Sequence, residues 1–77
     1  MSKPKAERHL ALGDLWMEGG AFEPAFYLYN SALGNFERIG DIQGQRLALV
    51  KMLAAAEAWG NGQMAENCRE WLKELGR

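Results

Sequence analysis

Three glycine-containing breaks constrain the fold of this chain more than any other feature. They lie at residues 19–20, 40–41 and 60–62. Glycine readily adopts the positive φ that ends a helix, and Asp41 and Asn61, just after two of the glycines, are preferred N-caps for the helix that follows. Between the breaks, apolar residues recur at spacings of three and four, and no segment alternates with a period of two long enough for a strand. The sequence therefore predicts an all-α fold of four antiparallel helices with short connections. The expected helices cover residues about 4–18, 22–38, 42–59 and 61–75.

Length and charge limit the functions open to the chain. Its 77 residues suffice for one domain, 1–77, with a small core. Nine Lys and Arg against ten Asp and Glu give a formal net charge of −1, which provides no field to attract nucleic acid. The start of the chain lacks the apolar segment of a secretory signal, and the longest apolar run, 52–56, is far shorter than the roughly 20 residues of a membrane span. We expect no nucleic-acid partner and no membrane insertion.

Cys68 is the only cysteine, so the chain cannot form an internal disulfide. A small chain without disulfides is typical of a reducing compartment, and the expected location is the cytoplasm. Cys68 falls on the apolar stripe of the last expected helix, which favours a buried and unreactive thiol.

A helix–turn–helix unit is used twice, over residues about 4–39 and 40–77. Gly20 and Gly60 lie 40 residues apart, as do Ala25 and Ala65. The first unit contains, in order, His9, Leu12-Gly13, Trp16, Gly20, Ala25, Tyr29 and Ala32-Leu33. This order resembles the tetratricopeptide repeat (TPR), in which an aromatic, a Leu-Gly pair and a second aromatic precede an alanine and a third aromatic.

The resemblance has two departures. His9 replaces the first aromatic, and a longer joint, "NFERIGDIQGQ", replaces the closing proline. That joint resembles the roughly 40-residue variety of the repeat found in kinesin light chains, rapsyn and the scaffolds that orient mitotic spindles. The second unit keeps the turn glycine and the alanine but not the Leu-Gly pair or the aromatics. Its counterparts are Leu49, Met52-Leu53, Ala56, Gly60, Ala65, Arg69 and Leu72. A register shifted by one residue, with Leu53-Ala54 at the Leu-Gly position, stays open.

The resemblance implies a packing role for the small residues of the first unit. Gly13, Ala25 and Ala32 would lie where paired helices approach most closely. The large residues expected beside them are Trp16, Tyr29 and Phe22. Trp16, Trp59 and Trp71 all fall on apolar stripes, so we expect the three tryptophans to pack in the core, the alternative being a role as interface hot spots.

In TPR solenoids the first helix of each pair lines a concave groove. The resemblance implies that the groove here is formed by Glu7, Leu10, Asp14 and Met17 from the first unit and Leu47, Val50, Ala54 and Glu57 from the second, with Lys51 beside them. Chaperone-binding members of the family hold a peptide's C-terminal carboxylate with Lys, Asn and Arg, whereas the matching positions here carry Leu10, Asp14, Leu47 and Val50. The sequence therefore argues against a carboxylate clamp. An apolar strip edged by acids favours a segment with leucine-type anchors and basic flanks.

No residue pattern points to catalysis. His9 is the only histidine, and the glycines do not follow a phosphate-loop spacing. Asp14 and Glu18, one turn apart, are typical of a solvated helix face. We expect no enzyme activity, no cofactor and no metal, and a metal enzyme using these two carboxylates is the least favoured hypothesis.

Two functions remain. The first is a protein-interaction module or scaffold that binds a peptide or amphipathic helix of a partner protein in the groove. The alternative is a structural module whose groove is filled by a second copy, which gives a homodimer, as in a small designed or excised helical assembly. The number of repeats suggests this alternative. The chain has two, whereas stacked repeats usually need about three to be stable alone.

Overall fold

The computed structural model describes residues 2–76, which are arranged as four α-helices. They are α1 (Ser2–Glu18), α2 (Phe22–Arg38), α3 (Ile42–Trp59) and α4 (Gly62–Leu75). No strand occurs within residues 2–76. The predicted all-α class is confirmed, and every predicted helix boundary lies within two residues of the observed one.

The three connections between helices share one backbone geometry. Gly20, Gly40 and Gly60 have φ of 80°, 72° and 81°, a left-handed conformation that costs glycine little because it has no Cβ. In each connection the amide of the following residue donates to a carbonyl oxygen five residues earlier, at 2.9 Å. This is the long bond of the Schellman motif. Three short turns of one type reverse the chain three times, so successive helices run antiparallel.

Side-chain caps define where the last two helices begin. Asp41 accepts a hydrogen bond from the Gly44 amide at 2.9 Å, and Asn61 accepts one from the Met64 amide at 3.1 Å. Both bonds satisfy amides that have no partner within their own helix. The predicted N-caps are confirmed.

Each helix packs against the next one along the chain. α1 and α3 lie on one face, where Asp14 and Lys51 join them. α2 and α4 lie on the other face, where Phe26 and Cys68 line a shared depression. The Cα atoms extend over 30 × 27 × 12 Å, so the helices form a flat assembly with two broad faces.

The core combines alanines with a few large side chains. Ala25, Ala32 and Ala48 are completely buried, and Leu33 and Leu49 are the largest fully buried residues. Such small residues let the helices approach closely while the leucines fill the space between them. Cys68 is also buried, as predicted; burial raises the pKa of its thiol, although the charge of Arg69 acts in the opposite direction.

Two glycines allow aromatic rings to pack directly on a neighbouring helix. A Cβ added to Gly13 of α1 would lie 2.5 to 3.0 Å from the ring of Tyr29 in α2. A Cβ on Gly44 of α3 would lie 2.6 Å from Cγ of Phe36, also in α2. Both distances are well below the roughly 3.5–4.0 Å of a favourable carbon contact. The packing role predicted for Gly13 is confirmed, and Gly44, expected only as part of the joint, has the same role.

The expectation that all three tryptophans pack in the core is wrong for two of them. Trp59 is partly buried against the core, with its ring centroid 5.8 Å from that of Phe26. Trp16 is 45% exposed and Trp71 is 38% exposed. Both lie on helices at the ends of the array, which have a neighbour on one side only, so an apolar stripe there need not meet another helix.

Replacing Gly44 with alanine tests the glycine–aromatic contact. We expect Gly44→Ala to lower the free energy of unfolding by about 1–3 kcal/mol, because the new methyl group overlaps the buried Phe36 ring. Gly34→Ala is the matched control, since no heavy atom lies within 4 Å of its added Cβ. The control should raise stability by about 0.5–1 kcal/mol through helix propensity. Urea denaturation followed by circular dichroism measures the free energy of unfolding of both variants. An equal effect of the two substitutions would show that Gly44 does not pack against the Phe36 ring.

Candidate functional site

Two ion pairs span the face formed by α1 and α3. Lys51 Nζ of α3 lies 3.0 Å from Asp14 Oδ1 of α1, and Lys3 Nζ of α1 lies 3.6 Å from Oδ2 of Asp41, the cap of α3. Each pair joins residues that are at least 37 positions apart in the sequence. They show that the two helices whose residues were predicted to form a groove do share one face.

A polar cluster lies at the middle of this face. The Tyr29 hydroxyl donates to Asp14 Oδ1 at 2.6 Å, and Lys51 Nζ donates to both Asp14 oxygens at 3.0 and 3.2 Å. The same ammonium group is 5.8 Å from the centroid of the Tyr29 ring, within cation–π range. Tyr29 reaches Asp14 because Gly13, the adjacent residue of α1, leaves room for its ring. The cluster therefore links three helices.

In this cluster the pKa of Asp14 is lowered and the pKa of Tyr29 is raised. Burial alone raises the pKa of Asp14, but the hydrogen bonds from Tyr29 and Lys51 and the charge of Lys51 outweigh it and lower the pKa below its ordinary value. Burial, and then the hydrogen bond and charge of Asp14, raise the pKa of Tyr29 well above its ordinary value. A general acid or base needs a pKa close to the working pH. Both shifts favour an ionised Asp14 beside a protonated Tyr29 at neutral pH, the states in which Tyr29 donates to Asp14.

An apolar depression lies beside the Lys3–Asp41 pair. Its volume is about 380 Å³, which is room for one or two side chains of a ligand. Its lining consists of Leu10, Phe36 and Leu47, together with Lys3, Glu7, Asp41, Gln43 and Gly44. Leu10 is only 7% exposed and forms part of the floor, whereas Leu47 is 47% exposed and stands at the edge. We call this feature the α1–α3 depression.

The residues predicted to form the groove fall into three sets. Glu7, Leu10 and Leu47 line the α1–α3 depression. Asp14 and Lys51 are paired with each other.

The third set lies outside the depression. Val50 and Ala54 are exposed on α3. Glu57 is also on α3, but its carboxylate is paired with Arg69 of α4 at 3.0 Å. Met17 is partly buried against the core. The structure therefore brings three of the nine predicted residues to one depression and uses two others to join its helices.

Six residues of this face were not predicted to belong to it, among them Lys3 and Gln43, which line the α1–α3 depression. Asp41 was expected only as a helix cap, Tyr29 only as packing, and Phe36 and Gly44 only as parts of the joint. A signal for two of them is present in the sequence, because Tyr29 and Phe36 are seven residues apart and so lie on the same side of α2. Pairing that side with the glycines of the flanking helices would have identified both.

Removing the Asp14 carboxylate should change how stability depends on pH. Because the pKa of Asp14 is lower in the folded state than the ordinary value of 3.8, the unfolded chain takes up this proton first as pH falls. The stabilisation is present above pH 3.8 and is lost as pH falls toward the lower folded-state value. We expect Asp14→Asn to lose less of its unfolding free energy than the parent protein over that range.

The measurement is urea denaturation at a series of pH values, with Glu70→Gln on α4 as a carboxylate control. The parent protein and Asp14→Asn differ only in this one carboxylate, so the difference between the two curves isolates this site. Parallel curves for Asp14→Asn and the parent would show that the cluster does not hold the carboxylate ionised.

Within residues 2–76, no helix combines the length and apolar character needed to cross a bilayer. Over the same residues, no three His, Cys, Asp or Glu side chains are grouped as metal ligands would be. No protein-family model, curated protein or solved structure matches the chain. The TPR resemblance and the cytoplasmic location therefore stay predictions from the sequence.

Proposed function

We propose that this protein is an interaction module that binds a segment of a partner protein along the face formed by α1 and α3. The observation that carries this proposal is the α1–α3 depression, whose apolar residues Leu10, Phe36 and Leu47 are edged by Glu7 and by the Lys3–Asp41 pair. The TPR resemblance supports the same face, because the first helix of each pair lines the binding groove in that family.

The apolar part of the site is suited to a leucine-type anchor. Leu47 and Val50, at 47% and 50% exposure, stand one turn apart on α3 and present apolar surface that no described residue covers. Burying one aliphatic side chain of a ligand contributes about 1.5–3 kcal/mol. Because the supporting helices are already fixed, little of that gain is spent on ordering the protein.

The charges of the site favour a basic ligand. Asp14 and Glu57 were expected to attract such a ligand, but their charges are already balanced by Lys51 and Arg69. No basic group among residues 3–76 forms an ion pair with Glu7, which lines the depression. Glu7 is therefore the carboxylate best placed to meet a Lys or Arg that flanks the anchor.

A phage-displayed peptide library, selected on the immobilised protein, tests this function. The recovered peptides should combine a leucine-type residue with a neighbouring Lys or Arg. Fluorescence anisotropy should then show that Leu47→Glu weakens their binding about tenfold or more, the equivalent of about 1.4 kcal/mol. Glu7→Lys should weaken binding less, and its effect should shrink as salt is added.

Leu15→Glu provides the matched control, since it makes the same change at an exposed leucine of α1 that does not line the depression. Peptides that bind Leu47→Glu as well as the parent would show that this face is not the binding site. Failure to recover any peptide would argue against the proposed function altogether.

A further inference from the structure

A stripe of exposed residues runs along the side of α1 that faces away from α2. Leu12, Leu15 and Trp16 are 44%, 62% and 45% exposed, and Lys5 and Arg8 continue the same side toward the N-terminus of the helix. The buried residues of α1, Ala6 and Leu10 among them, lie on its opposite side. We call the five exposed residues the α1 stripe.

The other end of the helical array differs from this end. The outward side of α4 is polar, with exposed Gln63, Glu66, Glu70 and Glu74. Leu12, Leu15 and Trp16 are adjacent rather than scattered, and contiguous exposed apolar surface is the kind that forms interaction sites. The apolar end cannot be covered by stacking α1 of one copy on α4 of another, because that contact would bury carboxylates against leucines.

We propose that two copies of this chain associate through the α1 stripe as an antiparallel, two-fold symmetric pair of α1 helices. A two-fold axis requires a surface that is complementary to itself. The α1 stripe meets this requirement about Leu12, because Arg8 and Trp16 lie four residues to either side of it, so an antiparallel copy sets each Arg8 guanidinium beside a Trp16 ring.

An antiparallel pairing centred near Leu12 places the N-terminal half of each α1 beside the C-terminal half of the other. Lys5 and Arg8 of each copy come beside the last turn of α1 in the second copy, which carries Trp16. Neither Lys5 nor Arg8 forms an ion pair among residues 3–76. The indole ring offers these cations a cation–π contact, while Leu12 and Leu15 fill the centre. The antiparallel direction also sets each helix dipole against the opposite end of the other.

This pairing leaves the proposed binding face open. Glu7 and Asp14 lie on a different side of α1 from the α1 stripe, and the α1–α3 depression is bounded by α3 and α2 rather than by the stripe. The inference does not depend on the proposed function, and the two can fail separately.

Sedimentation equilibrium over about two decades of concentration around micromolar tests the dimer. The parent protein should dissociate with dilution from a dimer to a monomer. Leu15→Glu should raise the dissociation constant about tenfold or more, while circular dichroism shows unchanged helix content because the residue is exposed. Leu47→Glu, the same change on the other side, should leave the dimer intact. A parent protein that is monomeric throughout, or a dimer that only Leu47→Glu weakens, would overturn the proposal.

A double-mutant cycle on Arg8 and Trp16 tests the antiparallel orientation. Arg8→Gln and Trp16→Leu, taken separately, should each dimerise more weakly than the parent, because each removes one partner of the contact between Arg8 of one copy and Trp16 of the other. The double variant should lose less than the product of the two separate fold-changes, since the two side chains interact. Independent losses in sedimentation equilibrium would show that the helices do not pair in this way.

Discussion

The packing of two aromatic rings against two glycines is the contact on which the rest of this structure depends. Tyr29 and Phe36 lie on the same side of α2, and that side meets both α1 and α3. Gly13 and Gly44 remove the side chains that would hold those helices away from the rings. Helices in contact are normally 8–10 Å apart, depending on the residues between them, so these two glycines decide how closely α1 and α3 sit over α2. The face between α1 and α3 is set by that distance.

The chemistry of this face follows from the same contact. Phe36 packs under Gly44 and also forms part of the α1–α3 depression. Tyr29 packs under Gly13, and its hydroxyl then lies 2.6 Å from Asp14, the next residue of α1. Asp14 in turn holds Lys51 of α3. The same two glycine–aromatic contacts thus supply part of the floor of the α1–α3 depression at one point and a hydrogen-bonded link between α1, α2 and α3 at another.

The sequence predicts the helices well because their ends are chemically marked. A glycine at positive φ closes each of the first three helices, and Asp41 and Asn61 open the last two. The ion pairs of the site were not predictable in the same way, because they join residues far apart in sequence and depend on which sides of α1 and α3 meet. Trp16 shows the same limit. Helical spacing places it on an apolar stripe, but α1 has one stripe toward α2 and another toward solvent, and spacing alone does not distinguish them.

The two stripes of α1 give that helix the character of an interior helix, although it stands at one end of the array. α4, with its polar outward side, has the character of an end. A two-fold pairing through α1 would remove this asymmetry by placing both α1 helices at the centre and both α4 helices at the outer ends. The assembly would then contain eight helices in four helix pairs, which is more than the roughly three units that stacked repeats need for stability. Each copy would still present its own α1–α3 face, so that one partner carrying two binding segments would gain from both.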